Sequence, residues 1–317
     1  MSDFSITEAA FSGMRVLGRH TLCAFVWAAI SIGTFALLVT LFGGSIVNLI
    51  SMIAQHGGKP DPALIVGMIG SIGVFYLLLI ICSIVLNGVI SCAVYRAEIY
   101  PADSRFFYLR FGASEGWVML VSFVRGVVIF LVQMAFLVPI TIISVAVGAV
   151  GVVGASHAQA AAGGMAAYLL VNGVLRLIMY GVIIWVYLRL SLAGPMTFVE
   201  RKFRLFESWA LTRGHVSRLF VVGLLVFAVG MAVYAILGVV GFAGGFAIWG
   251  GFPHPSSLQA FVGQSPDQIV RFLAPYLEWA LVLFFIGAVV MMPISLSPWA
   301  HVYKRMKPET DVAKVFE

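Results

Sequence analysis

Two arginines lie inside long apolar segments of the sequence, where a charged side chain is hardest to place. Arg125 is about eight residues into the third apolar segment, and Arg176 is near the middle of the fourth. Inside a bilayer a central arginine costs on the order of 3 kcal/mol on insertion scales, so it needs a polar partner, a water-filled cavity or a path to the interface. Arg125 is close enough to one end of its segment to snorkel, whereas Arg176 has farther to reach.

No Asp or Glu lies near the middle of any apolar segment, so Arg176 has no acidic side chain as a partner there. The candidates are three amide side chains, Asn87, Gln133 and Asn172, the backbone carbonyls near Pro139, or the phosphate of a lipid drawn between helices. One hypothesis is that Arg125, Arg176 and these amides line a polar pocket that accepts an anionic headgroup or substrate. The alternative is a structural hydrogen-bond network that joins the third and fourth segments.

The remaining reactive side chains are scattered. None of the six histidines pairs with another at the spacing of metal ligands. The three cysteines, Cys23, Cys82 and Cys92, fall in apolar segments and form no C-x-x-C motif. We therefore expect free thiols, no metal site and no cofactor.

Catalysis would need an acid, a base or a nucleophile held together in one site. No serine near the middle of an apolar segment belongs to a recognisable nucleophile motif with a partnered histidine. Asp103, Glu115, Glu207 and His215 lie on the same side of the apolar segments, so an enzyme acting on lipid stays open as an alternative. Without a motif that joins them, we expect no catalytic residues and a protein that is not an enzyme.

The elements that must position these residues follow from composition. Hydrophobic residues make up 62% of the 317-residue chain and charged residues only 10%, whereas a soluble domain is about half apolar and about a quarter charged. The net charge is +6, but the basic residues stand in short stretches between apolar segments, which argues against binding to nucleic acid. The composition indicates an integral membrane protein.

Six apolar segments are long enough to cross a bilayer, since about 20 apolar residues span about 30 Å as a helix. They cover residues 22–54, 63–95, 117–154, 165–192, 219–249 and 279–303. The sequence therefore predicts an all-α integral membrane protein with six transmembrane helices, in which residues 1–317 form a single polytopic domain.

The distribution of Lys and Arg sets the orientation, because short cytoplasmic loops keep positive charge during insertion. Of the 19 basic residues, 15 lie on one side of the predicted spans, while Lys59 and Arg271 lie on the other. The basic side is therefore predicted to be cytoplasmic. Both termini are predicted to lie on that side, and the membrane is predicted to be the inner membrane of the cell.

The chain also shows signs of an internal repeat. The even-numbered spans end alike, in Val94-Tyr95-Arg96, Val186-Tyr187-Leu188-Arg189 and Val302-Tyr303-Lys304-Arg305. A tyrosine followed by a cation is typical of a membrane interface. These endings predict three units over residues 5–96, 103–189 and 197–305, each an interfacial helix followed by a transmembrane hairpin.

An amphipathic stretch precedes each odd-numbered span. Ser5-x-x-Glu8 and Thr197-x-x-Glu200 read as capping boxes that begin the first and third stretches, with Gly214 as a stop. The second, around Phe106, Phe107 and Phe111, alternates less regularly and has no capping box. These stretches predict cytoplasmic interfacial helices, floating at the headgroups or packed under the bundle, with cations directed toward anionic lipid: Arg15, Arg19, Arg105, Arg110, Arg201, Lys202 and Arg204.

Two stretches of the sequence carry a family resemblance. Residues 189–195, RLSLAGP, are followed by FESWALTRG at 206–214 and by Arg218-Leu-Phe220. This pattern resembles the bacterial polytopic proteins grouped with the membrane domain of glycerophosphoryl diester phosphodiesterases, and residues 95–117 resemble them more loosely. The resemblance implies a membrane bundle of a largely uncharacterised family. It implies no phosphodiesterase activity, because that reaction belongs to a separate soluble domain.

Two functions fit these expectations. The first is a non-catalytic inner-membrane protein that organises lipids, anionic ones above all, or partner proteins. The partner would be another membrane protein or a second copy of the chain in a homo-oligomer. The alternative is a small transporter or lipid carrier with an anionic-ligand site between spans three and four. The predicted repeats are parallel rather than inverted, and mid-membrane acidic residues are missing, which favours the first function.

Overall fold

In the computed structural model of the chain, residues 4–55, 62–153, 158–249 and 266–307 are described, and they fold into helices joined by short turns. The long helices are α3 (Thr21–Gln55), α4 (Pro62–Ile99), α5 (Ala113–Val153), α6 (Ala158–Arg189), α9 (Val216–Trp249) and α10 (Pro266–Met306). The short ones are α1 (Ile6–Ala10), α2 (Ser12–Arg19), α7 (Ala193–Glu200) and α8 (Glu207–Leu211), and a single 3-10 turn covers Arg105–Tyr108.

The six long helices are apolar enough to cross a membrane, which confirms the six predicted spans. Their helical form follows from the solvent, because hydrocarbon offers no hydrogen-bond partner and each peptide group must be satisfied within its own helix. With 32 to 41 residues they exceed the length that the hydrocarbon core requires. The chain is an all-α, multi-pass membrane protein.

The tightly packed part of the molecule is the end where the even-numbered spans finish and the short helices lie. We call it the basic end and define it as residues 4–20, 90–116, 186–219 and 289–307. Most of the buried apolar side chains of the described residues gather there, among them Tyr95, Tyr108, Leu192 and Tyr303. Farther along the spans most apolar side chains are exposed, which suits contact with lipid.

Helix α7 is buried at the centre of the basic end and contacts α4, α5, α8 and α10. The prediction that Thr197 begins an interfacial helix is wrong, since α7 starts at Ala193 and Thr197 is fully buried inside it. Its hydroxyl accepts from the backbone N–H of Arg204 at 3.2 Å. Small residues explain the burial: a Cβ on Gly194 would lie 2.6 Å from the Tyr95 hydroxyl, so only glycine lets the two elements approach.

The N-terminal helices α1 and α2 pack against α10 in the bundle. Helix α1 begins as predicted, because the Ser5 hydroxyl accepts from the backbone N–H of Glu8 at 3.4 Å. The face turned inward carries small side chains, Ala9, Ser12, Gly13 and Val16, whereas Met14 of the predicted apolar face is exposed. The first interfacial segment is therefore packed against the bundle, which was one of its two expected arrangements.

The second predicted interfacial helix is absent from the described backbone between α4 and α5. Instead, Phe106, Phe107 and Tyr108 take left-handed conformations, with φ of 50°, 57° and 63°. A left-handed residue costs roughly 1–2 kcal/mol, so tertiary contacts must hold this turn. The turn buries Tyr108 and leaves Phe106 82% exposed.

The contact between α2 and α10 generates a stability prediction. A Cβ on Gly13 would lie 2.4 Å from the Ile294 Cα and 2.6 Å from the Pro293 carbonyl oxygen, and backbone atoms cannot move aside. We expect Gly13→Ala to destabilise the protein by about 1–3 kcal/mol, measured by thermal unfolding in one detergent. Gly18→Ala, in the same helix with no neighbour within 4 Å, is the matched control and is expected to gain up to about 1 kcal/mol. Equal melting temperatures for the two variants would contradict the close contact.

Candidate functional site

The centre of the basic end is a buried ion pair between α4 and α5. The Arg96 Nη2 donates to the Glu115 Oε1 at 2.5 Å, and the Glu115 side chain is only 1% exposed. The other terminal nitrogen, Nη1, donates to the Tyr108 carbonyl at 2.5 Å, and the guanidinium lies over the Phe198 ring, 5.3 Å from its centroid. Arg96 therefore joins α4, α5, the left-handed turn and α7.

Further hydrogen bonds hold the left-handed turn. The Trp27 indole N–H donates to the Phe107 carbonyl at 2.9 Å, and the Tyr108 hydroxyl donates to the Pro101 carbonyl at 2.8 Å. The His20 Nε2 lies 3.4 Å from the same hydroxyl. Burial, with the adjacent Arg19 charge, lowers the pKa of His20, which favours the neutral ring beside that hydroxyl.

A cavity of about 360 Å³ opens beside the Arg96 guanidinium. We call it the arginine-lined pocket. Its lining combines three guanidinium groups, one carboxylate, one hydroxyl-bearing ring and apolar surface: Arg96, Tyr100, Asp103, Arg110, Ser114, Phe198, Val199 and Arg201. Asp103 is paired with Arg110 and Glu115 with Arg96, so the lining together with Glu115 has a net charge of +1. A cavity of this character is suited to an anion.

Arg201 enters the pocket because α7 ends abruptly. It is the C-cap of α7 and has a left-handed backbone, with φ of 52°, and its N–H donates to the Thr197 carbonyl at 2.9 Å. Tyr100 lines the same pocket, where burial raises the pKa of its hydroxyl and the charge of Arg201 opposes that shift. The left-handed residue directs the chain away from the helix axis at the rim of the pocket.

The other predicted interfacial cations also lie at the basic end. Arg19, Arg105 and Lys202 are exposed at the basic end. Arg15 is also exposed and donates to the Glu8 carbonyl at 2.7 Å. Arg204 forms ion pairs with Glu200 of α7 and Glu207 of α8, both at 2.9 Å. This predicted interfacial cation therefore links the two helices.

Two sets of polar contacts attach helix α10 to the basic end. Lys307 Nζ and the Tyr303 hydroxyl both reach the Glu200 Oε1, at 2.8 and 3.3 Å. One turn away, the His301 Nδ1 lies 2.7 Å from the Glu98 Oε1, and the Ser297 hydroxyl donates to the Glu98 Oε2 at 3.1 Å. These contacts fix the end of α10 against α4 and α7.

The structure also places the predicted mid-membrane residues. Arg176 is exposed on α6, and its Nε donates to the Asn172 Oδ1 at 2.8 Å. The Asn172 amide donates in turn to the Ser144 hydroxyl of α5 at 2.9 Å. This chain of contacts links α5 to α6 through Ser144, which the sequence did not single out.

Arg125 lies nearer the basic end, with its guanidinium 5.8 Å from the centroid of the Tyr187 ring. Because Arg176 and Tyr187 are eleven positions apart on α6, Arg125 and Arg176 differ in depth by roughly 15 Å. Gln133 is half-buried on α5, and Asn87 is exposed on α4, where it accepts from Ser91 at 3.5 Å. The structure thus brings Arg176 and Asn172 together and sets Arg125 apart, and the anionic pocket between spans three and four stays a prediction.

The side chains that a lipid enzyme would need are engaged separately. Asp103 pairs with Arg110, and Glu115 with Arg96. Glu207 pairs with Arg204, and the backbone N–H of Glu207, with that guanidinium, lowers its pKa. His215 stacks at a tilt on Phe4. Each group therefore serves a different contact, and the structure does not bring the four into one site.

A second cavity, of about 590 Å³, lies along the spans between α6, α9 and α10. Its lining is almost entirely apolar, with Tyr187 and Trp299 in edge-to-face contact and Gly223 and Gly230 along α9. Helices α6 and α9 meet over only a short length, so this groove faces the bilayer. Its surface suits hydrocarbon.

Sequence reasoning missed the role of Arg96 and Glu115. In the sequence, Arg96 stands out only as the cation of a span ending, and Glu115 only as one of four side chains that an enzyme acting on lipid could use. A usable signal was present, because Glu115 is the acidic residue in the first turn of α5 and lies nineteen residues from a cation at the end of the preceding span. Two spans joined by a short connection place such residues at the same level.

Comparisons with protein-family models, curated proteins and solved structures found no match to this chain. The resemblance to the membrane domain of glycerophosphoryl diester phosphodiesterases therefore stays a prediction. The assignment of function rests on the geometry of the basic end.

The two ion pairs beside the pocket should differ sharply in their contribution to stability. We expect Glu115→Gln to destabilise the protein by about 3–5 kcal/mol, because it leaves the Arg96 charge buried without its partner. Asp103→Asn removes a pair whose side chains are about 40% exposed and should cost at most about 1 kcal/mol. Thermal unfolding of both variants in the same detergent tests this order, and similar losses in the two variants would be inconsistent with it.

Arg176 allows a direct test of the predicted mid-membrane site. We expect Arg176→Met to leave folded yield unchanged, because the side chain is exposed and its bond to Asn172 lies within one helix. The measurements are the yield of monodisperse protein and the anionic lipid that co-purifies, detected by native mass spectrometry. Loss of lipid in folded protein would support the pocket, and loss of folded protein would support the structural network instead.

Proposed function

We propose that the protein is a non-catalytic membrane protein that organises anionic lipid at its basic end. The observation that carries the proposal is the pairing of exposed aromatic rings with arginines there. Phe106 is 82% exposed, Phe111 is 79% exposed, and Phe206 is 67% exposed. Such rings are unfavourable in water and favourable at the headgroup level of a bilayer.

The rings are held in place. The turn that carries Phe106 is clamped by hydrogen bonds from Trp27 and Arg96 to its carbonyls. Phe206 directly precedes α8, whose Ser208 donates to the Arg189 carbonyl at 2.9 Å. Because the backbone that carries these two rings is fixed before lipid arrives, less conformational entropy is lost when they enter the interface.

Charge makes the interaction selective for anionic lipid. The exposed cations of the basic end include Arg105, Lys202 and Arg213. Each Lys or Arg close to an anionic membrane surface contributes about 1 kcal/mol, and the attraction fades within a Debye length. The aromatic anchors keep these cations within that distance.

The proposed location is the inner membrane of a bacterium, with the basic end and both termini in the cytoplasm. The excess of Lys and Arg at that end supports the orientation. The likeness of residues 189–195 and 206–214 to bacterial polytopic proteins supports the source. A membrane-protein partner or a second copy of the chain would meet the same surface.

The groove between α6, α9 and α10 favours a second candidate function, a small transporter or lipid carrier. It is open toward the bilayer and wide enough for hydrocarbon, and Gly223 and Gly230 deepen it because they have no side chains to fill it. A carrier would bind an acyl chain there while the headgroup stays at the interface. Lipid exchange between vesicles tests this candidate.

Lipid competition tests the proposed function. The purified protein is equilibrated with equal amounts of phosphatidylglycerol and phosphatidylethanolamine, and the retained lipids are measured by native mass spectrometry. We expect a several-fold preference for phosphatidylglycerol that falls in the triple variant Arg105→Gln, Lys202→Gln, Arg213→Gln, because its surface attracts anions less.

The matched control is Arg271→Gln, which removes an exposed charge at the opposite end. It should retain the wild-type preference. Equal retention of the two lipids by the wild-type protein would refute lipid organisation by charge. If the protein accelerated lipid exchange between vesicles, and Gly223→Leu abolished this activity by filling the groove, the lipid-carrier function would be favoured over lipid organisation.

A further inference from the structure

We infer that the arginine-lined pocket binds one phosphate ester group. The group is the headgroup phosphate of an anionic lipid or the phosphate of a small soluble ester, and the choice of lipid rests on the proposed function. The pocket is a defined cavity within the basic end, distinct from the cationic surface that surrounds it and from the predicted site at Arg176.

Three guanidinium groups reach the pocket from separate elements. Arg96 comes from the end of α4, Arg110 from the segment before α5 and Arg201 from the end of α7. A single arginine fork matches a planar carboxylate, whereas donors converging from three directions match the several acceptor oxygens of a tetrahedral phosphate. The arrangement therefore selects phosphate over a carboxylate.

The donors are held before any ligand arrives. The Arg96 guanidinium is fixed by Glu115, by the Tyr108 carbonyl and by the Phe198 ring. Arg110 is paired with Asp103, a contact that a phosphate would compete with and loosen. Fixed donors reduce the entropy lost on binding, so the pocket gains affinity from its rigidity.

The backbone of Arg201 is strained in a way that serves this site. A non-glycine residue with φ of 52° is strained, and glycine would avoid that strain at this C-cap. Glycine would remove the guanidinium from the rim of the pocket. The strain is therefore retained together with a side chain that contacts the cavity, a pattern typical of binding sites.

The remaining wall of the pocket accounts for an organic ester rather than a bare ion. Phe198 and Val199 give it an apolar side, and the Tyr100 ring lies at its edge. A volume of about 360 Å³ exceeds what one phosphate ion fills, since a water molecule takes about 30 Å³. The remaining space fits the glycerol or a comparable group that bears the phosphate.

Binding of short-chain phosphatidylglycerol to delipidated protein in mild detergent tests the inference. Native mass spectrometry gives the stoichiometry and a titration gives the affinity. We expect one molecule per chain, and about tenfold or weaker binding in Arg110→Gln and in Arg201→Gln, because each loses charge-assisted hydrogen bonds. Both side chains are exposed at the rim, so these variants are expected to fold.

Arg271→Gln, which removes an exposed charge at the opposite end of the molecule, is the control and should bind within twofold of wild type. Unchanged affinity in both pocket variants would overturn the site, and if phosphatidylglycerol were still preferred over phosphatidylethanolamine the proposed function would survive that result.

Glycerol 3-phosphate and inorganic phosphate are the soluble probes. Glycerol 3-phosphate that binds as tightly as the lipid, and weakens in the same variants, would support the phosphate site and assign it a soluble ester. Inorganic phosphate that binds as tightly as either ester, or lipid binding without any response to Arg110 and Arg201, would overturn the ester site.

Discussion

The constraint on which this fold depends is the burial of one charge. Arg96 is placed by α4 where its side chain is only 8% exposed, so its charge needs a partner within the protein; Glu115 supplies it, and the start of α5 is fixed as a result. The same guanidinium needs a further acceptor, which the Tyr108 carbonyl supplies only if the chain turns left-handed. Its face is covered by Phe198. One cation thus sets the position of two spans, one strained turn and one buried helix.

The three span endings that look alike in the sequence meet around α7. Tyr95 packs its ring near Phe198, and Tyr303 donates to Glu200. Both tyrosines are buried, so the expected role of a ring at the water interface does not hold for them, and only Tyr187 remains exposed. All three span endings pack around the same short helix, α7, which gives a structural reason for their similar sequences. The threefold repeat itself stays a prediction.

The spans could be predicted from the sequence because hydrophobic length is a local property, and the capping of α1 by Ser5 is equally local. Features that depend on distant contacts could not. Thr197 matches a capping box by spacing, but burial places it inside α7 and gives its hydroxyl to Arg204. The left-handed turn at Phe106 contradicts local preference and exists because Arg96 holds it. For the same reason the sequence pointed to Arg176 by its depth, whereas the cavity with convergent arginines depends on which helices meet.

The groove beside α6 and α9 gives the molecule two mechanical halves. Protein interiors are packed like organic crystals and barely compress, and the basic end has this character. Where the two helices separate, the groove is lined almost entirely by apolar side chains, so in a bilayer acyl chains rather than protein would pack against it. In this arrangement the bilayer acts as a structural component of the protein as well as its solvent.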